Sequence, residues 1–240
     1  MLYITNHDQN YNESKKTLTQ KYGDNSYPLT VFAYTLYGMP LIYNGQETGG
    51  NQALDYFHDT KIDWNTKDNK MLNTLRTLFA LKHAIPALSD SKTAAQNPAV
   101  NFLNVSGSSS VLAYTRTLAD SQVLVVLNMG TTDGTATIEG IDEGEWSLEL
   151  DSETIAQGTS RKQTTLNATQ TFNIDAKGYR VYVRGSFPEQ DPNTGTAIRN
   201  QPSASNKSTD SRYYNINGCV VDAPTTPGLY IHAGRKIILR

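Results

Sequence analysis

The feature that most constrains the fold is a change in the spacing of apolar residues near residue 90. Before it, short apolar runs alternate with helix-like patterns, giving strands at 2–5 and 41–43 and helices at 28–37 and 67–84. After it, apolar and polar residues alternate in short runs separated by turn formers. The first pattern predicts βα repeats with a parallel sheet. The second predicts an antiparallel β-sandwich.

The end signals of the two predicted helices support this interpretation. Pro28 lies in the first turn of the first helix, where its missing N–H costs nothing, and Gly38 follows as a stop. In the second helix, apolar residues recur at the spacing of one helix face, and Pro86 lies just beyond its end. Both segments are therefore predicted to be helices that cover a sheet.

The sequence predicts four segments in all, namely 1–90, 91–185, 186–210 and 211–240. The second, the sandwich, is expected to fold by itself, because domains of about 100 residues commonly do so. The third is polar and rich in turn formers, which predicts a flexible linker. The fourth is predicted to be a tail of small β-hairpins, in which Asn217-Gly218 and Ala233-Gly234 supply the turns and Cys219 is a small apolar residue.

Charge and composition exclude several classes of function. The net charge of −2 favours neither nucleic acid nor an anionic membrane surface. A single cysteine, Cys219, allows neither an internal disulfide nor a thiolate metal cluster. No apolar run reaches the roughly 18 residues that cross a bilayer, and the start of the chain lacks the pattern of a signal peptide. We therefore expect no nucleic-acid partner, no membrane span and no signal peptide in this chain.

A polar triplet, Asn6-His7-Asp8, ends the first predicted strand and by itself fits a turn as well as a functional site. Four segments in order resemble motifs of the α-amylase family, glycoside hydrolase family 13: ITNHDQN (4–10), GMPLIYNGQE (38–47), LDYFHDTKIDW (54–64) and LKHAIPAL (81–88). The resemblance covers residues 1 to about 184. The final hairpins show a weaker similarity to export tails of some Gram-negative bacteria.

The resemblance implies that residues 1–90 are the last quarter of a catalytic (β/α)8 barrel, its seventh and eighth βα units, followed by the sandwich. In such barrels the active site lies at the C-terminal ends of the strands. Asp8 would be the carboxylate that stabilises the transition state, and His7, Asn6 and Tyr43 would bind substrate. Glu47 would be an orienting residue near the site.

Other polar and aromatic residues receive structural interpretations. Asp55, Asp59 and Asp63 are expected in loops and caps rather than as metal ligands, and His58 and His83 on the surface. The aromatic rings of Tyr43 and Trp64 are of a kind that stacks on sugars, and for Trp64 packing in a core is the favoured interpretation. No metal site or cofactor is predicted in this chain, and the resemblance leaves calcium as an expectation for a longer enzyme only.

The resemblance also implies what the chain would need from outside. The family's nucleophile and general acid lie on earlier strands, so we expect the chain alone to be inactive and to require an N-terminal barrel portion. We also expect exposed barrel edges to favour self-association. The implied substrate is an α-1,4-glucan such as starch, cleaved by a retaining mechanism, and the implied location is periplasmic, cell-surface or secreted in a Gram-negative bacterium. Two alternatives remain open, a non-catalytic carbohydrate-binding or interaction protein built on the sandwich, and a related transglycosylase or isomerase.

Overall fold

A computed structural model shows how these segments fold. It describes residues 1–12, 16–55, 57–58, 60–89, 98–158, 161–185, 213–215, 220–221, 228–232 and 235–239. The chain forms two compact units, Met1–Gly195 and Thr196–Arg240.

Among the described residues of the first unit, the helical elements lie before residue 90, except for one 3-10 turn. They are a π-helical turn (Asp8–Asn12), α1 (Leu18–Tyr22), α2 (Ser26–Thr35), α3 (Asn69–Ala84) and 3-10 turns at Gly23–Asn25, Gln46–Thr48, Pro86–Leu88 and Ile155–Gln157. Both predicted helices are confirmed as α2 and α3. Helix α3 begins after Asp68, whose carboxylate accepts a hydrogen bond from the Met71 N–H at 2.9 Å, as an N-cap does.

The two predicted barrel strands meet through one parallel β-bridge between Leu2 and Pro40. The Leu2 N–H donates to the Met39 carbonyl at 2.8 Å, and the Leu41 N–H donates to the Leu2 carbonyl at 2.8 Å. The parallel direction is as expected, but within the described residues the pairing does not extend into full strands. Two segments alone make a marginal sheet, because strands gain stability from neighbours on both sides.

The sandwich is confirmed as two antiparallel sheets. The strands are β1 (Ala99–Phe102), β2 (Asn104–Ser106), β3 (Val111–Leu118), β4 (Ser121–Asn128), β5 (Gly134–Glu139), β6 (Gly144–Asp151), β7 (Lys162–Leu166), β8 (Thr169–Ile174) and β9 (Tyr179–Arg184). The six-stranded sheet has the order β1-β3-β4-β9-β6-β7, and the three-stranded sheet has the order β2-β5-β8.

The larger sheet is buried on both faces. In β4, Val123 and Val125 pack toward α2 and α3, whereas Leu124 and Val126 pack toward the three-stranded sheet. These four side chains are fully buried. Because successive strand residues point to opposite faces, a strand with two covered faces must be apolar at consecutive positions. The first unit therefore has three layers: helices, six-stranded sheet and three-stranded sheet.

Polar groups also join the helical layer to the sheet. The hydroxyls of Thr74 in α3 and Tyr179 in β9 are 2.7 Å apart and hydrogen-bonded, and those of Thr35 and Tyr114 are also hydrogen-bonded. The fully buried Arg116 donates to the Thr35 carbonyl at 3.2 Å. This carbonyl ends α2, where the helix dipole favours a cation. These hydrogen bonds therefore connect α2 and α3 directly to the six-stranded sheet.

The shared core bears on the segment boundary predicted near residue 90. Residues 91–185 alone would expose the sheet face that α2 and α3 cover, which argues against the expectation that they fold by themselves. The boundary itself stays a prediction. The predicted linker at 186–210 lies outside the described residues.

The second unit contains a four-stranded antiparallel sheet of order β11-β10-β12-β13. Its strands are β10 (Tyr213–Asn215), β11 (Val220–Val221), β12 (Gly228–His232) and β13 (Arg235–Leu239). Tyr213 and His232 are paired across β10 and β12, and their rings stack with centroids 4.1 Å apart. The proposed turn residues and Cys219 lie outside the described residues. Across all described helices, none combines the length and apolar character of a membrane span.

Replacing Leu78 with alanine should destabilise the helices and the sandwich together. Leu78 lies in α3 and is fully buried in the core that both layers share, so the cavity should cost about 2–5 kcal/mol. Urea unfolding would be followed by helical circular dichroism and by Trp146 fluorescence in a Trp64→Phe background. Both midpoints should fall by the same amount.

The matched control is Arg76→Ala, which changes an exposed side chain of the same helix and should leave both midpoints in place. If Leu78→Ala lowered the helical midpoint alone, the two layers would unfold independently and the shared core would be refuted.

The buried tyrosines predict a loss of stability at alkaline pH. Burial raises the pKa of the Tyr114 and Tyr179 hydroxyls far above the ordinary value. Their contribution to stability is fully present below the unfolded-state pKa of about 10 and is lost as pH rises above it. Urea midpoints measured from about pH 9 to about pH 12 should fall less steeply in Tyr179→Phe. The exposed-site control, Tyr3→Phe, should match the unmodified chain, and an unchanged slope in Tyr179→Phe would contradict this account.

Candidate active site

The candidate site lies at one end of the parallel pair formed by Leu2 and Pro40. The segment of Leu2 leads into Asn6-His7-Asp8, and the segment of Pro40 leads into Tyr43 and Glu47. Since the two segments run in the same direction, the residues that follow them emerge at the same edge. The direction of the two segments is thus compatible with the predicted site, which stays a prediction.

The triplet begins a helical turn, and Asn6 caps it. The Asn6 side-chain oxygen accepts a hydrogen bond from the Gln9 N–H at 2.9 Å, and its carbonyl accepts one from the Asn10 N–H at 3.0 Å. This is the local role that Asn commonly takes where a chain turns. Asn6 therefore shapes the loop, whereas its predicted contact with substrate stays a prediction.

His7 and Asp8 lie side by side at this edge. The His7 Nε2 is 3.5 Å from the Asp8 Oδ1, and the two side chains are 58% and 54% exposed. An imidazole N–H and an ionised carboxylate supply one donor and several acceptors, which suits adjacent hydroxyls of a sugar. The pair is accessible to a ligand, and the assigned roles of both residues stay predictions.

Asn10 is the residue that sequence reasoning missed. It is buried, its Nδ2 donates to the Gln52 carbonyl at 3.2 Å, and its Oδ1 accepts from the Leu54 N–H at 2.6 Å. Both partners are more than forty residues away. An asparagine in a polar loop carries no sequence signal of such long-range hydrogen bonds. These bonds hold the loop after Leu2 against the segment after Gly49.

The second loop is shaped by two glycines and carries Glu47. Gly45 and Gly49 flank the 3-10 turn Gln46–Thr48 with φ angles of 84° and 96°, which favour glycine. The Gln46 N–H donates to the Tyr43 carbonyl at 3.0 Å, and the Tyr43 side chain is half-buried. The Glu47 Oε2 is buried and has no hydrogen-bond partner among the described residues. This acceptor fits the orienting role of Glu47, which stays a prediction.

The described residues between 54 and 66, namely 54–55, 57–58 and 60–66, contain turns held by local hydrogen bonds. Asp55 accepts hydrogen bonds from the Phe57 N–H at 3.0 Å and lies 2.7 Å from the His58 Nδ1. Asp63 accepts from the Asn65 N–H at 2.9 Å, and this bond lowers the pKa of its carboxyl. The loop roles predicted for Asp55 and Asp63 are therefore confirmed. Asp59 lies outside the described residues, and in the described part of the chain no three potential ligand side chains cluster to hold a metal.

The expectation that Trp64 packs in a core is wrong, because its side chain is 58% exposed. It directly follows Asp63, whose hydrogen bonds close a turn at the surface. A local turn thus overrides the usual preference of a large aromatic residue for burial. The predicted surface positions of His58 and His83 are confirmed.

The chain is similar in sequence to one curated protein. The sequence is 28% identical over 191 residues to the α-amylase MalA of Haloarcula japonica, a match that covers 75% of this chain and 25% of MalA. No protein-family model matches the chain. The chain therefore spans about a quarter of the length of the curated relative it matches.

Solved structures share the fold. A maltogenic α-amylase, AmyB of Thermotoga neapolitana, matches with a TM-score of 0.57 at 18% identity, covering 77% of this chain and 40% of AmyB. An Anoxybacillus α-amylase matches with a TM-score of 0.55 at 14% identity, covering 76% and 37% of the two chains. The chain is therefore similar in sequence to part of an α-amylase and similar in fold to part of these two solved structures. Its fold is the last two βα units of a (β/α)8 barrel followed by an antiparallel β-sandwich.

Replacing Asn10 with alanine should loosen the contact between the two loops. The change leaves the Leu54 N–H without its acceptor in a buried position, at a cost of about 1–3 kcal/mol. Hydrogen exchange at the Leu54 amide should become faster, while exchange in the strands of the sandwich should stay slow. Asn44→Ala, which alters an exposed residue of the same region, should leave the Leu54 amide protected. Unchanged protection of the Leu54 amide in Asn10→Ala would contradict this role of Asn10.

Proposed function

We propose that the chain forms part of an α-amylase-type glycosidase that cleaves α-1,4-glucans with retention of configuration. The observation that carries this proposal is the exposed pair His7–Asp8 at the C-terminal end of the parallel segments. The match to an α-amylase supports the reaction class. The substrate and the stereochemical course rest on the family motifs quoted above.

Asp8 would act on the charge that develops during glycosidic cleavage. The transition state resembles an oxocarbenium ion, so a carboxylate fixed beside the sugar ring stabilises it more than it stabilises the bound substrate. His7, only 3.5 Å from Asp8, would donate a hydrogen bond to a hydroxyl of the same sugar. Contacts that strengthen in the transition state raise kcat rather than merely lowering KM. We assign neither the nucleophile nor the general acid to these 240 residues.

The partner that would supply these groups is the remainder of a barrel. Leu2 and Pro40 bridge only each other among the described residues. Large apolar side chains are exposed around them, namely Met1, Tyr3, Tyr37 and Met39. Further parallel strands would pair with the open edges and cover these side chains. Without them, we expect the chain to self-associate through this surface and to show no glycosidase activity.

The proposed substrate also suggests a location. An enzyme that acts on external starch would work at the cell surface or in the medium, and one that acts on shorter maltooligosaccharides would work in the periplasm. The similarity of the final hairpins to export tails of Gram-negative bacteria supports the same proposal.

The proposal is tested in a chimera that joins the part of MalA preceding the matched region to this chain. The chimera should hydrolyse soluble starch, and Asp8→Asn should lower kcat about 100-fold or more while changing KM little, because one fixed charge is lost from the transition state. His7→Ala should have a smaller effect, because it removes a neutral hydrogen bond. The chain alone should be inactive in the same assay.

Asp24→Asn is the matched control, since it removes an exposed carboxylate away from the two loops and should leave kcat unchanged. A folded chimera that kept near-normal kcat with Asp8→Asn would remove Asp8 from the catalytic machinery. Activity that copurified with the chain alone would contradict the need for a further barrel portion.

A further inference from the structure

The turn after Asp63 carries an exposed aromatic side chain, Trp64, to which the proposed function assigns no role. Trp64 is exposed on the turn that Asp63 closes, next to the exposed side chain of Asn65. We propose that Trp64 is a binding platform on which a glucose unit of an α-glucan stacks, adjoining the His7–Asp8 site. This inference rests on the proposed function, because it names a further contact for the same substrate.

The turn that carries Trp64 is held in place by hydrogen bonds on both sides. The Gln52 side chain donates to the Lys61 carbonyl at 2.6 Å and accepts from the Asp63 N–H at 3.0 Å. On the other side, Asp63 accepts from the Asn65 N–H and from the Thr66 hydroxyl at 3.1 Å. A ring presented by such an ordered turn loses little freedom when a ligand binds, which favours affinity.

The same network connects Trp64 to the proposed catalytic edge. Asn10, two residues after Asp8, donates to the carbonyl of Gln52, and the Gln52 side chain accepts from the N–H of Asp63. Trp64 is the next residue along the chain. The backbone next to Trp64 is thus linked, through the side chains of Asn10 and Gln52, to the helical turn that Asp8 begins. A polymeric substrate that reaches Asp8 extends over several glucose units, so it can contact a second point on the same edge.

The chemistry of the turn suits a sugar. An indole offers a wide apolar face with a polar N–H at its rim, and a glucose ring has an apolar face of C–H groups bordered by hydroxyls. Asp63 and Asn65 are exposed beside the ring and supply carboxylate and amide groups for those hydroxyls. Stacking with flanking polar contacts therefore matches an α-glucan better than it matches a purely apolar ligand.

The two tryptophans of the chain allow a direct test. Trp64 is 58% exposed and Trp146 is 1% exposed, so iodide should quench Trp64 and leave Trp146 unaffected. We expect maltoheptaose at millimolar concentrations to protect the quenchable fraction in the 240-residue chain, and cellohexaose, a β-linked glucan, to protect it much less. In affinity electrophoresis on soluble starch, Trp64→Ala should weaken retention about fivefold or more.

The matched control is Phe102→Ala, which removes an aromatic side chain that is 56% exposed on β1 of the sandwich. Its retention on starch should equal that of the unmodified chain, and circular dichroism should show both variants folded. Absence of protection by maltoheptaose would overturn the proposal. Equal weakening by Phe102→Ala and Trp64→Ala would also overturn it, because the contact would not be specific to this turn.

Asp8→Asn separates this inference from the proposed function. The variant keeps Trp64, so maltoheptaose should still protect it from iodide. If protection persists but the chimera keeps its kcat with Asp8→Asn, the binding platform stands and the catalytic role of Asp8 fails. If Asp8→Asn abolishes activity but no glucan protects Trp64, the catalytic role stands and the platform fails.

Discussion

The first unit depends on the burial of both faces of its six-stranded sheet. Strand β4 is apolar at every position from Val123 to Leu127, and each of these side chains is fully buried. One set packs against α2 and α3, and the other packs against the three-stranded sheet. Burial of apolar area is the main favourable term in folding. Removing either outer layer would therefore return one face of the central sheet to water.

This central sheet also fixes the barrel segments. Arg116 and Tyr114 of β3 bind the last residue of α2, Thr35, and the chain then runs into the bridge at Pro40. Thr74 and Tyr179 join α3 to β9 in a similar way. The sandwich thus supports the elements from which the site loops project. In the proposed enzyme, it would support the last quarter of the barrel.

The edge of the site combines accessible and fixed groups. His7 and Asp8 are exposed, whereas the residues that hold their loop, Asn6 and Asn10, are engaged in hydrogen bonds. Trp64 repeats this arrangement, with an exposed ring on a turn held by Gln52 and Asp63. Sites built on such supported loops keep their geometry when a ligand binds. An extended glucan would meet both exposed groups along one edge.

Local spacing, caps and turns predict the helices α2 and α3, the antiparallel sandwich and the position of Asp8 after a predicted strand. They do not predict that the sandwich and the barrel segments share one core, that Asn10 links two loops, or that Trp64 is exposed. Each of these depends on contacts between residues far apart in sequence, or on a turn that competes with burial. The spacing of apolar residues indicates that both faces of a strand are covered. Which element covers each face depends on packing in three dimensions.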